Sequence, residues 1–361
     1  MKQFIRVVTG LVALGLIALP LDAGTSDARA SQTEVANGRI AFVRNARDGI
    51  TDVGSVRASG RGYRNLTQSQ RNELYVDVSP DGSQVAFTRF GRNGGDIYVA
   101  PIGGGSPARV TSDRVHDELP IWSPDSSRLA FVRFPPREED SEIFVIDSDG
   151  TNLTRVTDNE SMDADPRWSP EGSRLIYNGG DIDTDGQDIF LVTLGQAEVV
   201  TLTQAGVNDT FAEWSPDGQT VVYSSFRDNQ WDLFQVRTDG VETTQLTSDP
   251  LDDYAPEWSP DGGRLLFLRG RLEGALPRDE VFVMQADGSG ELSVTPPRLQ
   301  AFSPDWSPDG TKIAFIGQVT VSEADPPEWE IFTVNDDGSE RMRLTRTNAE
   351  EFDPEWARRP V

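Results

Sequence analysis

Short apolar runs recur along the chain, each fenced by Pro, Asp, Gly and Ser. "QVAF", "RLAF", "RLIY", "TVVY", "RLLF" and "KIAF" begin at Gln84, Arg128, Arg174, Thr220, Arg264 and Lys312. A second set follows, led by an acid: "DIYV" at Asp96, "EIFV" at Glu142, "DIFL" at Asp188, "DLFQ" at Asp232, "EVFV" at Glu280 and "EIFT" at Glu330. Runs this short, rich in β-branched and aromatic residues and bounded by turn formers, predict strands. No stretch beyond residue 30 carries a helical period. A Ser-Pro phrase, most often "SPDG", precedes each run of the first set. Its Ser falls at 79, 123, 169, 215, 259 and 307, in steps of 44, 46, 46, 44 and 48 residues. The second set leads through a turn to "LT" or "VT", with Thr at 67, 111, 157, 203, 247, 295 and 345. The unit is therefore a strand ending in Trp, a Pro-Asp-Gly turn, an apolar strand, an acid-led strand and a short strand ending in Thr. Four antiparallel strands in each repeat of this size make a propeller blade.

The chain ends complete the count. "GRIAFV", from Gly38, has no Trp strand before it, and "DPEWARRP", from Asp353, has no turn or strand after it. If the strand of Trp356 joins the blade of Ile40, both gaps close. An all-β ring of seven blades results, without an open edge. The 319 residues from 38 to 356 then divide into seven units of about 46. A six-bladed ring is the alternative, with the first unit left outside it.

The "PxWSPDGxxIAF…(D/E)IFV…DG…LT" unit resembles the TolB-type, WD40-like propeller repeat, over residues 38 to 356. That resemblance implies a periplasmic or secreted protein. It also implies a non-enzymatic role: an interaction module for a protein or peptide partner in the cell envelope or exterior. Two features depart from the family pattern. TolB-type proteins carry an α/β domain before the propeller and are described with six blades. Here the ring follows the leader directly and counts seven. Related propellers cap α/β-hydrolase peptidases, but this chain has no "GxSxG" nucleophile elbow. Others are oligogalacturonate lyases with a histidine-rich metal site, and this chain has 1 His.

Residues 1–30 read as a signal peptide. Lys2 and Arg6 precede an apolar run from Val7 to Leu21, and Ala28-Arg29-Ala30 forms a small-residue cleavage site, with cleavage after Ala23 as the alternative. Residues 31–37 are a linker and 38–361 the propeller. The apolar run is short for a membrane span, so none is expected after cleavage. With 0 Cys, neither a disulfide nor a Cys-linked lipid is available. The net charge of −26 argues against nucleic acid and anionic membranes, and suits cations, basic protein faces or neutral glycans. A monomer is expected.

Candidate chemistry lies at repeated positions. Five residues before the Trp position stand Glu73, Asp117, Asp163, Asp209, Asp253, Ala301 and Glu351. If the first strand is innermost, these acids ring one mouth of the channel. After the "IAF" strand stand Arg89, Arg133, Gly179, Ser225, Arg269, Gly317 and, in the first unit, Arg44. Antiparallel pairing gives Glu73, Asp117, Asp253 and Glu351 an Arg. Asp163 and Asp209 have none, which marks them, with His116 and Asp117, as candidate ligand-binding or partner-binding residues at that mouth. "DIDTDGQD" places Asp181, Asp183 and Asp185 like the start of a calcium loop, although its twelfth position is Val192. Calcium is the one cofactor this suggests. Trp231 and Trp329 stand outside the repeated Trp position and are candidate surface aromatics for a sugar or partner. A glycan-binding or glycan-cleaving propeller is therefore the alternative function.

Overall fold

The computed structural model describes residues 38–45, 49–92, 94–135, 140–181, 186–196, 198–203, 206–273, 276–297, 299–319, 328–346 and 349–357. The leader and linker lie outside them. Among the described residues every regular element is a strand, and the strands form seven four-stranded sheets. Blades 2 to 7 follow the chain, at residues 73–109, 116–155, 163–201, 208–245, 252–293 and 301–343. Blade 1 is built from both ends. Its first strand, Glu350–Trp356, pairs with Arg39–Asn45, and Thr51–Arg57 and Arg64–Asn65 complete it. Ile40 pairs with Trp356 and Arg44 with Glu351. The seven-bladed ring expected from the repeat is the one observed. The six-bladed alternative fails because the first unit sits inside the ring.

Packing explains why the second strands are continuously apolar. Each is covered on both faces, so neither face reads as polar. Ile40 and Phe42 pack with Ala314, Ile316 and Ile331 of blade 7, while Ala41 packs with Val85 and Phe87 of blade 2. Seven such clusters are each shared between two neighbouring blades, the last with the first included. The repeated Trp is a wedge: Trp168 of blade 4 packs into the blade 3 cluster, and Trp214 of blade 5 into that of blade 4. An arginine at the start of the second strand clamps the next blade. Arg128, Arg174 and Arg264 lie 4.7, 4.7 and 5.0 Å from the rings of Trp168, Trp214 and Trp306. Each also donates to a turn carbonyl of that blade, at Gly172, Gly218 or Gly310. The Ser of "SPDG" donates to the Asp two residues on, as in Ser79–Asp81 and Ser259–Asp261, both at 2.6 Å. The Thr of "LT" accepts the third strand's backbone N–H in all seven blades.

Every first strand carries a bulge. The residue two after Glu73, Asp117, Asp163, Asp209, Asp253, Ala301 or Glu351 breaks register and adopts positive φ: Tyr75, Leu119, Asp165, Phe211, Ala255, Ser303 and Asp353 have φ between 44° and 57°. Two residues of the first strand then oppose one of the second, which re-aims the local side chains.

Candidate functional site: the blade seams and the central channel

The acids predicted to ring the channel mouth are in the ring but not at an open mouth. Glu73, Asp117, Asp209, Asp253 and Glu351 are 0% exposed and Asp163 is 1% exposed. Each first strand begins against the preceding blade. Its leading acid is therefore sealed into the seam, beside that blade's Thr and third-strand acid. The expected register pairing holds: Glu73 faces Arg89, Asp117 Arg133, Asp163 Gly179, Asp209 Ser225, Asp253 Arg269 and Ala301 Gly317.

Three seams are closed by an arginine. Arg89 Nε lies 2.7 Å from Glu73 Oε1. Arg133 grips Asp117 through Nε and Nη2, at 2.6 and 2.9 Å, and holds Asp113 with its other edge. Arg269 grips Asp253 at 2.7 and 2.8 Å and reaches Glu291 and Asp249. These are charge-assisted, forked hydrogen bonds in a dry seam.

The seams on either side of blade 4 differ. Asp163 accepts Asn159 Nδ2 at 2.7 Å and, more weakly, Ser161 Oγ at 3.4 Å. Glu142 of blade 3 stands nearby, held by Arg155 at 2.7 Å and Thr157 at 2.5 Å. Burial, with Glu142 adding to it, pushes the Asp163 carboxyl up to about 7. Asp209 lacks a well-formed hydrogen bond to either carboxylate oxygen among the described residues. Ser225 and Thr203 stand near enough to soften its charge, and burial still pushes it up to about 6. Gly179 fits its register position for a steric reason. A Cβ there would come 2.8 Å from Asp163 Oδ1 and 2.8 Å from the Phe190 ring. Gly179→Ala is expected to cost about 1–3 kcal/mol as overpacking, read as a shift in denaturant midpoint.

The channel is lined one turn of the pattern further on. The residue before each Trp position is Asp77, Ile121, Arg167, Glu213, Glu257, Asp305 or Glu355. Three of these acids also staple adjacent blades. Asp77 accepts the backbone N–H of Trp122 at 2.6 Å, Glu257 that of Trp306 at 3.4 Å and Asp305 that of Trp356 at 2.6 Å. Arg167 is the one cation of this layer. It pairs with Asp165 at 3.3 Å and Glu213 at 3.4 Å. Desolvation pulls its guanidinium down. The carboxylates of Asp165, Glu213, Asp77 and Glu355 outweigh that and hold it above the ordinary arginine value. Those acids come from blades 4, 5, 2 and 1, so the field at Arg167 is set by blades on more than one side of the ring.

The remaining candidates are scattered. Asp117 is locked by Arg133 and is not open to a ligand. His116 is half-buried between the rings of Phe90 and Phe134, 6.0 and 4.8 Å away, with Nε2 2.9 Å from Glu118 Oε2. Trp329 is 6% exposed and packs on Phe302, so it is a core residue and not a surface aromatic. Trp231 stays half-exposed, its ring 5.1 Å from that of Phe226. Asp183 and Asp185 lie outside the described residues, as does the side chain of Asp181. Among the described residues no group of three or more His, Asp or Glu is placed to hold a metal. Sequence reading missed the channel acids, although four of the Trp copies show them directly as "EW" or "DW".

Comparison with known proteins fits this architecture. The TolB beta propeller domain matches residues 30–183 and 181–359. The chain belongs to that family. A curated relative, the Tol-Pal system protein TolB of Anaeromyxobacter dehalogenans, is 36% identical over 86 residues, 24% of this chain and 20% of that protein. The chain thus spans about a fifth of the length of the curated TolB proteins it matches. The structure of a putative TolB from Agrobacterium tumefaciens superposes with TM-score 0.56 at 24% identity, covering 75% of this chain and 95% of that one. An oligogalacturonate lyase from Vibrio parahaemolyticus superposes with TM-score 0.62 at 13% identity, covering 76% and 82%. Likeness at such identities is likeness of fold. Solved structures of enzymes and of TolB proteins share the ring, so the ring alone does not say what the protein does.

Proposed function

We propose that the protein is a secreted or periplasmic interaction propeller that holds a basic segment of a protein partner in its acidic channel, with no chemistry of its own. The channel carries this reading. Five of the seven residues before the Trp position are acids, Asp165 and Asp353 add to them in the bulge layer, and Arg167 is the single cation before a Trp. Such a lining concentrates positive charge and repels acidic partners. The family membership supports capture of a protein, the reading of residues 1–30 as a leader supports the location, and calcium at Asp181, Asp183 and Asp185 belongs to the same proposal.

A pull-down tests it, with the chain from Ser31 as bait against the host's envelope and secreted fraction, in calcium and in chelator. The expected result is one protein retained, released by raised salt, and lost in the channel variant Asp165→Asn/Glu213→Gln with the fold intact by circular dichroism. Retention that ignores those substitutions, or a polysaccharide retained instead, overturns the reading.

A further inference from the structure

Blade 4 is the only blade whose two seams both bury an acid without an in-register arginine, Asp163 opposite Gly179 and Asp209 opposite Ser225. A buried carboxylate needs a counterion or a proton. At the three closed seams the counterion is a guanidinium lying over the third strand's aromatic ring. Arg89 is 4.2 Å from Tyr98, Arg133 5.1 Å from Phe144 and Arg269 4.7 Å from Phe282. At the first seam of blade 4 that place is shut to a cation, and at the second a cation fills it without gripping the acid. At the first, Asp163 leans over Gly179 so closely that a single added carbon would touch both it and Phe190. At the second, Arg227 reaches back from two residues along and lies 4.3 Å from Phe234. It spends its Nε on Ser225 Oγ, at 2.8 Å, and leaves both oxygens of Asp209 without a well-formed hydrogen bond among the described residues. A proton is the counterion that fits.

We propose that blade 4 is seamed to both neighbours by protonated carboxyls, its own Asp163 against blade 3 and Asp209 of blade 5 against it, and that losing these protons loosens it from the ring. Around Asp163 stand Glu142, whose charge Arg155 holds, and Tyr177, which Asp163 and burial push upward. Arg155 also reaches Asp158 at the surface. Around Asp209 stand Ser225, Thr203, Arg227, Asp188 and Tyr223; the two hydroxyls and then Arg227 favour ionisation, and burial outweighs them. Both acids are raised, to about 7 and about 6, above the unfolded value of about 3.9. The closed ring therefore binds more protons than the opened one. The stabilisation is full below the unfolded value and is lost as pH rises through the folded values. Opening becomes more frequent by up to roughly tenfold per pH unit for each group within that window, and then levels. This goes beyond partner capture: it sets when one sector of the ring can open.

Hydrogen exchange on the whole chain, at pH 5 and pH 7.5 and corrected for intrinsic exchange rates, tests it. The expected result is at least a tenfold loss of protection at pH 7.5 in residues 163–201. Blade 2, whose leading acid Glu73 is closed by Arg89, should change much less. Asp163→Asn/Asp209→Asn should abolish the difference, because a neutral amide cannot ionise. If the double variant does not fold, each single variant should remove part of it. A response spread evenly over all blades, or one that survives either substitution unchanged, overturns the proposal.

Discussion

Trp356→Ala is expected to destabilise the ring by about 3–5 kcal/mol, and a chain ended at residue 349 to lose the cooperative fold altogether. Trp356 is 1% exposed and packs among Ile40, Phe42, Ile316 and Ile331, at the one place where sequence-distant ends share a sheet. Its backbone N–H also donates to Asp305 of blade 7, at 2.6 Å. Removing the ring of Trp356 leaves a cavity bordered by two blades, which cannot collapse without moving one of them. Removing the strand does more. It strips the hydrogen-bonded partner from Arg39–Asn45 and exposes an apolar edge, the arrangement that invites aggregation. Urea unfolding followed by tryptophan fluorescence separates the two outcomes. Trp356→Ala should keep a single transition at a lower midpoint, and the shortened chain should show none. A shortened chain that still unfolds cooperatively at the wild-type midpoint would mean that the closing strand does not hold the ring.

The ring was legible in the sequence because its information is repeated. Each strand, turn and Trp is written six or seven times, so errors in single copies cancel. Even the join of Ile40 to Trp356 could be read from what the two ends lack. The seams were half legible. Register follows from the hairpin between the first and second strands, so Glu73 could be paired with Arg89 and Asp163 with Gly179. Burial could not be read, because it depends on the preceding blade, which lies one repeat away. The first strand starts inside a seam, and acids expected at an open mouth prove to be sealed. A similar limit hid Trp329, which is buried in the cluster that blade 7 shares with blade 1. Arg227 shows the reverse case. A residue outside the repeat pattern takes a repeat position in space, by reaching from two residues along the same strand.

Arg133→Ala is expected to cost about 3–5 kcal/mol at pH 8, because it strands a carboxylate in a dry seam. Asp117 is 0% exposed and its partner guanidinium is 6% exposed, so little water is at hand to replace the fork. Burial already pushes the Asp117 carboxyl up, against the pull of Arg133. Without Arg133 it rises further, and below that new value the acid takes a proton and escapes the penalty. The cost of Arg133→Ala should therefore shrink on moving from pH 8 to pH 5, the sign expected when the folded state binds the extra proton. The seam between blades 6 and 7 shows that the pair is dispensable as a pair. It carries Ala301 and Gly317 at these two positions, Ala301 fully buried, and the ring closes there too. Asp117→Ala added to Arg133→Ala should accordingly recover much of the loss, although Arg133 also holds Asp113 and covers Phe144. Thermal and urea unfolding of the two single variants and the double, at both pH values, measure the coupling. A double variant no more stable than Arg133→Ala would show that the arginine acts by covering the seam, and that the charge of Asp117 is not what it answers.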